Sequence, residues 1–139
     1  MKLVLDTNVV SQLVHPQGSV QIKDWLATRR GYIVYTTSVT QAEILFGIRR
    51  LPDGKRRDRL LANAVEVFSS DMAGRILSFD SIAADEYSQI VALRERSGRP
   101  ISQFDGQIAA ICRVYGAVLA TRNVKDFVGC GVDVVNPWD

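Results

Sequence analysis

The chain of 139 residues is predicted to fold as an α/β domain with a central parallel sheet flanked by helices on both faces. Two observations carry that prediction. Short apolar or β-branched runs alternate with helix-periodic segments along the whole chain. The first run, Lys2–Leu5, ends in Asp6-Thr7-Asn8, the profile of a buried strand handing over to a helix N-terminus. Parallel strands need crossover connections, and the intervening helical segments supply them. With 47% apolar and 23% charged residues the composition is that of a compact globular protein, and the length suits a single domain spanning residues 1–139.

After the first strand, Val20–Arg29 places Val20, Ile22, Trp25 and Leu26 at helical spacing, Gly31 closes it, and Tyr32–Thr36 has strand composition. Thr36-Thr37-Ser38 supplies cap residues for a helix to about Arg50, and Pro52-Asp53-Gly54 is a turn. Leu60, Leu61, Ala64, Val65 and Phe68 predict a helix over Lys55–Ala73, followed by a short strand at Ile76–Phe79. Asp80–Ser97 is amphipathic and ends at Gly98–Pro100. A last long helix over Ser102–Tyr115 stops at Gly116, and Ala117–Ala120 and Val132–Val135 are β-leaning runs.

Several function classes are excluded. No segment reaches the ~18–20 apolar residues of a membrane span, and no secretory signal is evident, so a cytoplasmic location without membrane contact is expected. The sequence has no GxSxG, Walker A or GxGxxG motif. His15 is the only histidine and lies in a His-Pro turn, which leaves histidine-based acid–base chemistry little to work with. Cys112 reads as a small core residue, Cys130 as a loop residue without an obvious activator, and Trp25 and Trp138 as packing residues.

In open α/β sheets the ligand crevice lies beyond the carboxyl ends of the strands. That rule selects Asp6 after the first strand, and Thr121, Asn123 and Asp126 after Ala117–Ala120. Glu43 and Asp105 lie near the starts of their helices, each three residues after a hydroxyl, Thr40 and Ser102. Both also fit a capping box, and Asp6 fits a helix N-cap. Glu43 shares a face with Val39, Phe46 and Gly47, and Asp105 stands above Ile108 and Ala109, so both carboxylates face the core side. An unpaired buried carboxylate is costly, and a hard divalent cation removes the cost; without His or Cys in the set, Mg²⁺ or Mn²⁺ is favoured over Zn²⁺.

Taken together, Leu3–Asn8, Glu43 in QAEILFGI, Asp105 in RPISQFDGQIAAIC, ATRNVKDF at Ala120–Phe127 and the closing VDVVNPW resemble the PIN-domain signature in its VapC and FitB-like branch. The likeness spans nearly the whole chain. It implies a PIN-like domain acting as a Mg²⁺- or Mn²⁺-dependent endoribonuclease toxin, paired as a homodimer and held by a VapB-like antitoxin. Asp6, Glu43 and Asp105 match the family's acidic positions, with Asp6 and Asp105 as metal ligands. The fourth position holds Asn123, with Asp126 three residues on. Phosphodiester cleavage would proceed by metal-activated water that Glu43 orients, with Thr7, Asn8 and Thr121 supporting the carboxylates.

The formal charge is only +2, so contact with nucleic acid depends on where the charges lie. Residues 49–59, RRLPDGKRRDR, carry six basic side chains against Asp53 and Asp58. Because this stretch leaves the Glu43 helix, Arg49, Arg50, Lys55, Arg56 and Arg57 are candidate RNA phosphate contacts, or else an antitoxin surface. Two further readings stand beside the nuclease: a non-catalytic PIN-like binding module for nucleic acid or protein, and a nuclease acting on single-stranded or flapped DNA.

Overall fold

The computed structural model describes residues 1–139 and contains five strands and six α-helices. The strands are β1 (Lys2–Leu5), β2 (Ile33–Thr37), β3 (Ile76–Leu77), β4 (Val118–Ala120) and β5 (Val134–Val135). The helices are α1 (Thr7–Val14), α2 (Val20–Ala27), α3 (Ser38–Arg49), α4 (Lys55–Glu66), α5 (Ser81–Arg96) and α6 (Gln103–Tyr115). All strand pairs are parallel, in the order β3-β2-β1-β4-β5. The chain thus builds outward from β1 through β2 to β3, then crosses back to lay β4 on the other side of β1. The switch of direction falls between β1 and β4, where an open α/β sheet leaves a crevice at its carboxyl edge.

The central strand is buried on both faces because its side chains alternate between two cores. Leu3 and Leu5 pack with Val9, Ile22, Ile44 and Leu60 beneath α1–α4. Val4 points the other way, to Ile90, Ile108 and Leu119 beneath α5 and α6. Gly106 lets α6 lie close against α5, since a Cβ there would meet the Tyr87 ring at 2.9 Å.

Three elements depart from the sequence expectation, the last strand by pairing only at Val134–Val135 of the expected Val132–Val135. The helix read over Lys55–Ala73 is α-helical only to Glu66 and continues as a π-helical turn over Val67–Asp71, with the Met72 amide donating to the Val67 carbonyl at 2.8 Å. Val67, Phe68 and Met72 are buried along this turn, whereas Val65, on the preceding α-helix, is exposed. Ordered pairing at β3 covers only Ile76–Leu77. The Phe79 side chain turns instead to the edge of the Tyr87 ring, with centroids 5.8 Å apart.

Candidate active site

Asp6 stands where β1 ends, and its carboxylate is fully engaged by neutral donors. Oδ1 accepts the Thr7 amide at 2.8 Å, which caps α1. Oδ2 accepts the Thr121 hydroxyl at 2.7 Å and the Asn8 amide group at 3.3 Å. Thr121 comes to this point because it follows β4, which pairs with β1 in register Leu5 to Ala120. Asn8 ties the two strand ends further, donating to Thr121 Oγ1 at 3.2 Å and accepting the Arg122 amide at 3.1 Å. Capping and site-building are therefore one arrangement at Asp6.

Glu43 arrives from α3. Its capping-box reading fails: the helix is capped by Thr37, whose hydroxyl accepts the Thr40 amide at 3.0 Å, and Glu43 sits a turn further along. The Thr7 hydroxyl donates to Glu43 Oε1 at 2.8 Å and lies 3.1 Å from the Thr40 hydroxyl. Thr40, read from the sequence only as a capping-box partner of Glu43, is fully buried one turn before Glu43 on the same face. Asp105 occupies the first turn of α6, capped by Ser102, whose hydroxyl accepts the Asp105 amide at 3.2 Å.

All three carboxyls are held above the ordinary carboxylate range, in each case first by burial. The hydrogen bonds from Thr121, Thr7 and Asn8 partly offset this at Asp6, as does Thr7 at Glu43 and Ser102 at Asp105. Their mutual repulsion adds to the rise: Asp6 and Asp105 act on Glu43, and Asp6 acts on Asp105. None of the three has a Lys or Arg partner; the two ion pairs of the chain are Arg57–Asp53 and Arg113–Glu86. Opposed, half-desolvated carboxylates without a cation form a donor set suited to a hard divalent ion. No three Asp, Glu, His or Cys side chains stand close enough together to hold one metal ion between them, so an ion here would rest on two carboxylates. Two carboxylates with water filling the remaining positions is the usual way Mg²⁺ is held.

The segment after β4 contributes unevenly. Asp126 is exposed but its charge raises both Asp6 and Asp105, so it faces the same crevice. The Asn123 amide donates to Thr121 Oγ1 at 3.0 Å, while its side chain is exposed and makes no hydrogen bond to the protein. A residue outside the sequence reading fixes this segment. Arg94 of α5 is only 6% exposed and has no carboxylate partner. Nη1 donates to the Asp126 carbonyl at 2.8 Å and the Val128 carbonyl at 3.0 Å, and Nε donates to the Arg99 carbonyl at 2.6 Å. Nη1 also lies 3.3 Å from Cys130 Sγ, which gives that buried thiol a cationic neighbour the sequence did not reveal. Burial nevertheless pushes the Cys130 thiol up, as it does the fully buried Cys112.

The basic stretch divides. Lys55 and Arg56 lie exposed on the first turn of α4, and Arg56 lines a cleft shared with Thr7 and Glu43. Arg57 is tied to Asp53 at 3.0 Å. Arg50 lies over the Phe46 ring at 5.5 Å, and Arg49 is exposed at the end of α3. Neither lines the cleft. Trp25 and Trp138 pack against the core beneath α1–α4, each with an arginine over its ring, Arg29 at 4.3 Å and Arg122 at 5.1 Å. No helix is long and apolar enough to cross a membrane.

The chain shares its family and fold with known proteins. The family model for the PIN domain matches residues 3–127. The chain is 36% identical to the VapC ribonuclease Y4jK of Sinorhizobium fredii, over 99% of this chain and 98% of that one. It is 35% identical to the toxin FitB of Neisseria gonorrhoeae over 98% of both chains. A solved structure of FitAB bound to an IR36 DNA fragment superposes with a TM-score of 0.88 at 34% identity, covering 99% of this chain and 96% of that one. The chain belongs to the PIN-domain family, in its VapC and FitB-like branch.

Proposed function

We propose that this protein is the endoribonuclease toxin of a VapBC-like toxin–antitoxin pair and that it works with Mg²⁺ or Mn²⁺. The observation that carries the reading is the meeting of Asp6, Glu43 and Asp105 at the carboxyl edge of the sheet, each raised by burial and none paired with a cation. The names of the full-length relatives, a VapC ribonuclease and a toxin, support it. A VapB-like antitoxin would hold the protein inactive, and a cytoplasmic homodimer is the form expected of the branch.

Asp6 and Asp105 would hold the ion, and Asp126 is the fourth carboxylate in reach of their field; Asn123 contributes its backbone rather than its side chain. The ion, when bound, supplies positive charge to the phosphoryl oxygens and makes water more acidic. The remaining work falls to the chain. Thr121 and Asn8 fix the orientation of the Asp6 carboxylate, so little reorganisation is needed when RNA enters. Thr7 occupies Glu43 Oε1, which leaves Oε2 free to orient water and accept its proton. Attack of that water on phosphorus would break the bond to the 3′ oxygen, which takes a proton from solvent, leaving a 5′-phosphate and a 3′-hydroxyl.

Incubating purified protein with total RNA, with Mg²⁺, Mn²⁺ or EDTA, tests this directly. Cutting of particular RNAs that needs the ion and is lost in Asp6→Ala is the expected result. A folded, antitoxin-free protein that cuts nothing would sink the proposal in favour of a binding module.

A further inference from the structure

A second pocket, of about 640 Å³, opens beside the acidic crevice, where the turn between α1 and α2 faces the start of α4. Gln12, His15 and Gln17 form one wall, and Lys55, Arg56 and Arg59 form the other. None of these cations pairs with a carboxylate. Arg56 and His15 also line the cleft containing Thr7 and Glu43, so the pocket and the acidic crevice share a wall.

The pocket is built rather than incidental. The α1–α2 turn is held by Gly18, whose amide donates to the His15 carbonyl at 3.0 Å and where any side chain would overlap the Gln12 carbonyl. Gln12 Oε1 accepts the Ser19 amide at 2.8 Å, which aims the Gln12 amide group and leaves its N–H donors free. Asn63 of α4 donates to the Val14 carbonyl at 2.9 Å and fixes the opposite wall against the end of α1.

We infer that this pocket receives one nucleotide of a single-stranded RNA, with Lys55, Arg56 and Arg59 on its phosphates and Gln12 and His15 on its base. The volume lies within the ~300–1,000 Å³ of small-ligand sites. Three free cations match phosphate, and the amide and imidazole are donors and acceptors for a base edge. A concave pocket of this size admits a base only when it is unstacked, which selects single strands over duplex. The inference rests on the ribonuclease reading for its substrate class and adds two residues, Gln12 and His15, that decide which sequence is cut.

Binding is measured by fluorescence anisotropy with a short, labelled, mixed-sequence single-stranded RNA in EDTA, so that affinity is read without cleavage. The triple change Lys55→Gln, Arg56→Gln, Arg59→Gln is expected to weaken binding about a hundredfold and to reduce the slope of log affinity against log salt by about two, at ~0.7 per phosphate contact. Lys23→Gln with Arg30→Gln, on exposed residues elsewhere, leaves both unchanged. His15→Ala and Gln12→Ala, with the salt slope unaltered, shift the positions cut in total RNA. A triple variant with wild-type affinity and slope overturns the inference. So does one that keeps its RNA affinity but loses binding of a glutamate-rich peptide, which assigns the pocket to an acidic protein segment. RNA held through the pocket yet never cut with Mg²⁺ or Mn²⁺ leaves the assignment standing and removes the nuclease reading alone.

Discussion

The acidic crevice and the cationic pocket are neighbours of opposite charge, yet they do not neutralise each other. Glu43 and Arg56 line one cleft, but neither Glu43, Asp6 nor Asp105 forms an ion pair with Arg56 or any other cation. The acids are buried or half-buried and held by neutral hydroxyl and amide donors, whereas Lys55, Arg56 and Arg59 are exposed and free. Hydrogen bonds from Thr7, Asn8 and Thr121 satisfy the carboxylates without cancelling their charge, which stays available to an external cation. The difference separates chemistry that demands fixed geometry from recognition that tolerates mobile side chains.

If that contrast is right, removing charge from the crevice should abolish turnover without loosening the fold. Glu43→Gln keeps the shape and an oxygen acceptor for Thr7 but cannot take a proton. Cleavage should fall about 10²–10⁴-fold with RNA affinity in EDTA unchanged. Parallel loss of affinity and rate would show that Glu43 binds rather than catalyses. The next largest effect concerns the frame. Arg94→Met removes the guanidinium that joins the Arg99, Asp126 and Val128 carbonyls, leaving three part-buried acceptors without their donor. The expected cost is about 2–4 kcal/mol in urea unfolding, with Arg94→Lys recovering only part of it because one ammonium cannot span three carbonyls. An Arg94→Met protein as stable as the wild type would remove Arg94 from this role.

Thr121→Val tests the neutral donors. It preserves the volume and deletes the 2.7 Å hydrogen bond to Asp6 Oδ2 and the acceptor for the Asn123 amide. A loss of about 10–100-fold in divalent-ion affinity or cleavage rate is expected, as for other residues that orient a ligand from behind. Equal loss in Thr36→Val, whose hydroxyl donates to the Leu5 carbonyl and touches none of the three carboxylates, would mean that both act through general stability.

How legible this was depended on whether the signal was local. Asp6 announced itself because a strand end, a helix start and a carboxylate coincide within a few residues, Thr121 followed from the same strand-end rule, and Thr7 and Asn8 came only with the family resemblance. Thr40 was read as one member of a capping box, although Thr37 three residues earlier outcompetes it for the helix end. The helix after Lys55 buries Leu60, Ala64 and Phe68 as expected, but its π turn after Glu66 was not foreseen because hydrophobic periodicity does not register one. Arg94 was invisible because its partners are backbone carbonyls far along the chain, which leave no mark on residue type. The division of the basic stretch depended on the direction in which α4 presents each residue, and Asp53 withdrew Arg57 from the set.

The smallest expected effect sharpens the comparison most, because it separates the acids' stability from their activity. Burial and like-charge repulsion raise Asp105 in the folded protein above its unfolded value of about 3.9. The folded state therefore binds the proton more readily than the unfolded one. This contribution favours folding in full below the unfolded pKa and is lost as pH rises through the folded pKa. At neutral pH the ion-free wild type then carries an uncompensated charge that Asp105→Asn lacks. The variant should melt higher by about 1–3 °C at pH 7, a small gain because Asp105 is half exposed, and the difference should vanish on acidification. Mg²⁺ or Mn²⁺ should reverse the order, since an ion that binds only the folded wild type stabilises it by mass action. The cationic pocket supplies the control: Lys55→Gln should alter neither the pH dependence nor the response to the ion. If Asp105→Asn melts lower than the wild type throughout, the carboxylate serves the fold, and the acidic crevice no longer differs in kind from the rest of the core.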